Sequence, residues 1–172
     1  MKKLIVIFGV VVLLGLVAGG VYYLIERLSE QNSENQVPGT KTYRNEEFGF
    51  EFQYPANWTL HPTVLKSPFS KFELIGTTPE ENVPNTIVPS LLVNIVTPDF
   101  ADRAVVSFNS LNANTSVVIV AGVKGVKYEY EFASTLRITV DLPFEENRIL
   151  LGANRKHADV FNQVIATFKF LK

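Results

Sequence analysis

Four aromatic side chains in a two-residue period set the strongest constraint on how this chain can fold. Phe48, Phe50, Phe52 and Tyr54 alternate with Gly49, Glu51 and Gln53. Successive side chains of a strand point to opposite faces, so this is a half-buried strand carrying its aromatics into a core. Pro55 has no N–H to donate to a ladder and stops the strand. The only tryptophan, Trp58, follows one short turn later.

The chain is 172 residues long, 47% hydrophobic and 19% charged, which fits one globular domain with extensions. A net charge of -1 argues against a nucleic-acid binder, which shows a basic face or stripe. Cysteine is absent. That excludes disulfides, thiolate metal sites, cysteine nucleophiles and a lipobox cysteine for an acyl anchor. The domain must hold together by its core alone, and thirteen phenylalanines supply material for one.

Met1-Lys2-Lys3 precedes a run from Leu4 to Ile25 without a charged residue. As a helix rising ~1.5 Å per residue the run spans about 33 Å, enough for a hydrocarbon core of ~30 Å. Residues 1–25 therefore read as a signal anchor, with a transmembrane helix over about 4–25. A cleaved signal peptide is the competing reading, since Ala18-Gly19-Gly20 is small at the right offsets. The apolar run continues past it through Val21, Tyr22, Tyr23, Leu24 and Ile25, where a signal peptide turns polar. Lys2 and Lys3 keep the N-terminus cytoplasmic, so the rest is exported. The expected location is a bacterial cell membrane, crossed once, with the C-terminal domain extracytoplasmic. Gly15 and Gly19 form a Gly-xxx-Gly pair, a spacing common in membrane helices without any dimer. Residues 26–42 are polar and read as a flexible tether to a globular domain over 43–172.

Within the domain, Trp58–Leu65 reads as a second strand, demoted towards an edge by Pro62, and Phe72–Thr77 as a third. Thr78–Pro89, with three prolines, is expected as an exposed loop. Leu91–Val96 is apolar on both faces apart from Asn94 and belongs near a sheet centre. Thr97-Pro98-Asp99 starts a helix, with a capping threonine and proline at the first helical position. Phe100, Ala104, Phe108 and Leu111 follow at helical spacing, and Asn109–Ser116 reads as a loop. Val117–Val120 reads as a second fully buried strand, turned by Gly122–Gly125. Val126–Phe132 and Leu136–Leu142 alternate most cleanly of all. The expected hairpin places Phe132 opposite Leu136, Glu131 opposite Arg137 and Lys127 opposite Asp141, closed by Ala133-Ser134-Thr135. Arg148–Leu151 is a further short strand. Ala158, Phe161, Ile165 and Phe168 mark the apolar stripe of a C-terminal helix ending near Thr167.

Tyr43-x-Asn45, then Phe48-Gly49-Phe50-x-Phe52-x-Tyr54-Pro55-x-x-Trp58, closing with Phe161-x-x-Val164-Ile165-x-Thr167-Phe168-Lys169-Phe170, resembles the PsbP-like (Mog1/PsbP) superfamily. More narrowly, it resembles the small membrane-anchored PsbP-related proteins of bacteria. The resemblance covers about Tyr43 to Lys172. It implies an α+β fold, an α/β/α sandwich around a central antiparallel sheet. It implies little about activity, because relatives include a photosystem lumenal subunit and a nuclear-transport GTPase binder. No binding residue of those relatives has a motif here onto which it can be carried.

The chain holds two histidines, His61 and His157. His157-Ala-Asp159, with His61, is the candidate metal cluster, and the resemblance adds that some relatives bind divalent ions. Two histidines far apart, with no second local ligand pair, form a thin ligand set, and packing at the rim of the C-terminal helix is the competing role for His157. Glu46-Glu47, Glu80-Glu81 and Glu145-Glu146 read as solvated surface pairs. No Gly-x-Ser-x-Gly, His-Glu-x-x-His, P-loop or dinucleotide fingerprint occurs. The expectation is a non-catalytic, membrane-tethered extracytoplasmic domain without cofactor or catalytic residues, monomeric as an ectodomain, that binds a protein partner or assists an envelope complex. The alternative is a divalent-ion or small-ligand binding domain using His157 and Asp159.

Overall fold

The computed structural model describes residues 39–171 except 84, 85 and 88, and the side chains of 82–88 are not described. The expected anchor over Leu4–Ile25, the Gly15 and Gly19 pair, and residues 26–38 of the tether lie outside the described residues. Among the described residues no helix is long and apolar enough to cross a membrane.

The aromatic stretch forms β2 (Phe50–Pro55), and it sits in the middle of a small sheet. β1 (Thr40–Asn45) pairs with it antiparallel, Tyr43 opposite Phe52, and β12 (Lys169–Phe170) pairs on its other side. β1 opens at Thr40, so regular structure begins before the expected boundary at Tyr43 and takes in Thr40–Thr42 from the expected tether. Tyr43 is the one large apolar side chain of β1, too little to show a period.

A second, seven-stranded sheet is formed by β3 (Thr59–Val64), β4 (Ser70–Thr77), β7 (Leu91–Val96), β8 (Asn114–Val120), β9 (Val123–Phe132), β10 (Thr135–Phe144) and β11 (Asn147–Asn154). Its order is β3-β4-β7-β11-β10-β9-β8, antiparallel throughout. Pro62 lies on the outermost strand, β3, as expected of a residue that cannot donate to a ladder. Two short strands, β5 (Asn82–Val83) and β6 (Thr86–Ile87), pair within the segment expected to be a plain loop.

The two faces of the large sheet differ. On one, Phe72, Leu74, Val93, Ile95, Val140, Leu142, Ile149 and Leu151 are buried against the small sheet and α2 (Ala158–Thr167), whose Phe161 and Val164 enter the same core. Phe50 and Phe52 are 0% exposed, and Phe168 stacks on both at 5.5 and 6.1 Å. Thr167 Oγ1 accepts from the Gln53 N–H at 3.0 Å, tying the end of α2 to β2. On the other face, α1 (Pro98–Ser110) lays Phe100, Ala101 and Ala104 against Val96 and Leu150, and Phe108 stacks on Tyr130 at 4.7 Å. Thr97 occupies the cap position of α1 with extended backbone, but its side chain makes no capping bond, so proline at the first position does the starting. Among the described residues, the mostly antiparallel sheet and two helices agree with the expected α+β class.

Two strand expectations are corrected. In the β9–β10 hairpin Phe132 pairs with Thr135, not Leu136, and Leu136 pairs with Glu131. The turn holds two residues, Ala133 and Ser134, at φ 49° and 59°, the left-handed pair whose twist matches the strands better than a three-residue closure. The shift by one sets Arg137 against Tyr130 and Asp141 against Val126. Both expected charge pairs are therefore absent, and Asp141 is buried at 1% exposure. The sheet supplies Arg148 instead. Its Nε donates to Asp141 Oδ1 at 2.9 Å, a second guanidinium nitrogen donates to Oδ2, and Nη1 lies 3.5 Å from Asp102 of α1.

The second correction concerns β8. Expected to be fully buried, it is the end strand of the sheet, with Val117 66% and Ile119 68% exposed and Val120 alone buried. The turn after it is Ala121-Gly122, both at positive φ, while Val123–Gly125 belong to β9. Gly125 is there for closeness: a Cβ on it would meet Leu142 Cδ2 at 2.4 Å and the Asp141 carbonyl oxygen at 2.5 Å.

Candidate functional site

The three residues singled out for metal binding go to different surroundings. His61 is on β3, opposite Ile75, and its Nε2 is buried without a hydrogen-bond partner. Asp159 is exposed in the first turn of α2. His157, just before that helix, sets its ring edge against Trp58 at 5.1 Å between centroids. Its Nε2 lies 3.5 Å from Glu81 Oε1, long for a hydrogen bond. Among the described residues no three His, Cys, Asp or Glu side chains gather as a metal cage.

Glu81 is the centre of that corner. Its carboxylate accepts from Ser90 Oγ and from Lys156 Nζ. Burial pushes its pKa up, but the Lys156 ammonium and His157 outweigh this and hold it below the usual carboxylate range. A lysine already seated on the one well-placed carboxylate competes with any cation there. The corner ties Glu81 and Ser90 to Lys156 just ahead of α2, and His157 Nε2, buried beside it, has no hydrogen-bond partner.

Of the other acidic pairs, Glu46-Glu47 and Glu145-Glu146 meet across an open cleft of ≈ 750 Å³. Arg44, Phe48, Lys71, Phe144 and Phe170 complete its walls. Arg44 pairs with Glu46 and Glu51, each at 3.2 Å, and Lys71 with Glu146 at 3.2 Å. These are solvated pairs of small energetic weight. The cleft brings basic and acidic groups together without a buried, unsatisfied group aimed into it.

The feature that reaches outward is the β8 edge. An end strand presents unpaired N–H and C=O groups and is a template for another strand. Natural edges are blunted by proline, by charge or by a covering segment. β8, Asn-Thr-Ser-Val-Val-Ile-Val, has no proline and no charge. Register with β9 puts Thr115, Val117 and Ile119 beside Tyr128, Val126 and Lys124, on the face that carries α1. Val118 turns the other way and packs against the main core. Among the described residues no strand pairs on the outer side of β8, and an uncharged edge of this kind is the geometry for main-chain recognition of a partner strand. Residue pattern alone missed it, because Val117–Val120 looks the same whether a strand is central or terminal.

No protein-family model matches the sequence, and no curated protein matches it. Among solved structures, the fold is similar to that of PsbP (CyanoP) from the cyanobacterium Synechocystis sp. PCC 6803. The TM-score is 0.50 at 14% identity, over 79% of this chain and 95% of that one. Looser similarities are to LpqN, involved in cell envelope biogenesis in Mycobacterium tuberculosis (TM-score 0.41, 15% identity, 77% and 91% covered), and to PA94 from Pseudomonas aeruginosa (TM-score 0.35, 9% identity, 72% and 92% covered). The described domain has a PsbP-like fold, as the residues from Tyr43 to Phe170 imply.

Proposed function

We propose that this chain is a non-catalytic, membrane-tethered protein-binding module whose PsbP-like domain stands outside the cytoplasm and engages its partner through the β8 edge. The single observation that carries the reading is that edge: uncharged, free of proline, with Val117 and Ile119 about two-thirds exposed. An uncharged edge with two exposed apolar side chains, unpaired among the described residues, is a template for a partner strand. Tethering and orientation come from the apolar run Leu4–Ile25 and from Lys2 and Lys3. The absence of nucleophile, metal and nucleotide motifs in the sequence supports a binding role over catalysis.

The test is affinity purification of the full-length chain from its native membrane, wild type beside Ile119→Lys. A lysine at the edge blocks strand addition while leaving a side chain already in solvent. The expected result is a partner retained by the wild type and lost from the variant. The same proteins recovered with both would overturn the assignment of the edge.

A further inference from the structure

We propose that α1 is a detachable strap: it lifts from the large sheet as one unit and uncovers the face beneath it, while the two sheets and α2 stay folded. The inference stands apart from the partner reading above, since it concerns how one face of the sheet is closed.

The two helices are held by different means. α2 sends Phe161 and Val164 into the main core, and Thr167 bonds it to β2. α1 packs on a cluster of its own, Val96, Ala101 and Leu150, with Phe100 and Ala104 partly buried against it. Ala101 is the one residue of α1 that is fully buried. Two of the three side chains that α1 lays on this cluster are alanines, which carry little apolar area. Beyond the cluster, Phe108 leans on the sheet at 5.1 Å from Tyr128 and 4.7 Å from Tyr130. An element with few buried apolar contacts belongs to the low-stability end of a structure and opens before the rest.

The polar ties of α1 are light as well. Asp102 meets Arg148 at 3.5 Å, but its side chain is 73% exposed, so the pair is solvated and of small weight. Arg148 makes its close bonds to Asp141, within the sheet. That arrangement lets α1 leave without stranding the buried Asp141 charge, because the guanidinium stays behind on β11. Arg103 lies over the Phe69 ring at 4.9 Å, again near solvent, Phe69 being 46% exposed. A helix of 13 residues is marginal on its own. Once lifted, α1 loses its contacts and its helical order together, which is what makes it move as a unit.

The covered surface gives the strap its consequence. Lifting α1 bares Val96 and Leu150 and, with Phe108 gone, Tyr128 and Tyr130. Tyr128 lies beside Thr115 of β8, so the bared surface runs on into the face that carries Val117 and Ile119. The position of α1 thus sets how much apolar surface the β8 end of the sheet presents.

Leu150 and Leu151 are neighbours on β11 that face opposite ways, Leu150 under α1 and Leu151 in the main core. The chain has no cysteine, so Leu150→Cys and Leu151→Cys each carry a single thiol. Ala101→Cys is the probe on α1 itself, at a position 0% exposed. Alkylation of the full-length variants in their membrane, without denaturant, should mark positions 101 and 150 about a hundredfold faster than 151. Hydrogen exchange of the unaltered chain is the second measurement and does not depend on how the cysteines are tolerated. Amides of α1 should exchange at least ~tenfold faster than those of α2. Equal alkylation at all three positions, fast alkylation at 150 alone, or equal protection of the two helices would overturn the strap.

Discussion

The two ends of the seven-stranded sheet are built by opposite rules. At the β3 end the edge strand carries Pro62, its Val64 is 57% exposed, and the Leu65 N–H on the Lys71 carbonyl extends its ladder with β4. Next to it, β4 is covered by the aromatic layer, Phe72 lying 5.2 Å from Phe48 and 6.0 Å from Phe50. At the β8 end the strand has no proline or charge, no described segment covers its edge, and Val117 and Ile119 are 66% and 68% exposed. Both end strands expose apolar side chains, and only β3 carries a proline. The difference teaches where proline has been used against strand addition, and it leaves the β8 edge as the one proposed for recognition.

The largest effect expected is in the core between the two sheets. Phe50→Ala should cost about 3–5 kcal/mol, because the ring is wholly buried among Phe52, Phe72 and Phe168 and its loss leaves a cavity. Val117→Ala on the β8 edge strand, where the side chain is exposed, should stay within about 0.5 kcal/mol. Equilibrium urea unfolding of both variants checks the contrast, and equal costs would break it.

Midway along the sheet, Arg148→Met should cost about 3–5 kcal/mol at neutral pH, since it strands the buried Asp141 charge. Burial raises the Asp141 pKa above its ordinary value, with Asp102 adding to the rise and Arg148 only partly offsetting it. The folded state therefore holds the Asp141 proton more tightly than the unfolded chain does. This group's contribution to stability falls as pH climbs from the ordinary aspartate range through the raised folded value. Without Arg148 the fall should steepen, and Asp141→Asn should flatten it. Unfolding free energies measured from pH 4 to pH 8 would show the slope.

The smallest stability change should come from Pro62→Thr, within about 0.5 kcal/mol, since the proline guards the edge rather than fills the core. Its consequence should be association: light scattering should report new self-assembly through β3. A silent result would mean that proline is not what closes that end.

What the residues revealed follows from how local each signal is. The aromatic period of β2, the double-sided apolar run of β7 and the stripe of α2 were legible because each is a contiguous pattern read against a fixed geometry. The hairpin register was not. It depends on Ala133 and Ser134 adopting left-handed conformations that neither residue type advertises. A shift of one residue exchanged every partner and turned Asp141 from an outer charge into a buried one. The corner at Glu81 joins residues from three separate segments, Ser90, Lys156 and His157 among them, and no local pattern couples them. His157 was picked out for its chemistry, but Asp159, its sequence neighbour, is not what it meets. The candidate edge was hidden for the same reason: which strand ends a sheet is settled by topology.

Site-specific photo-crosslinking in the full-length chain, in its own membrane, tests the central contrast most directly. The probe is placed once at Val117 on β8 and once at Thr63 on β3. The account predicts a protein adduct at 117 and none at 63. Adducts at 63 with none at 117 would contradict it.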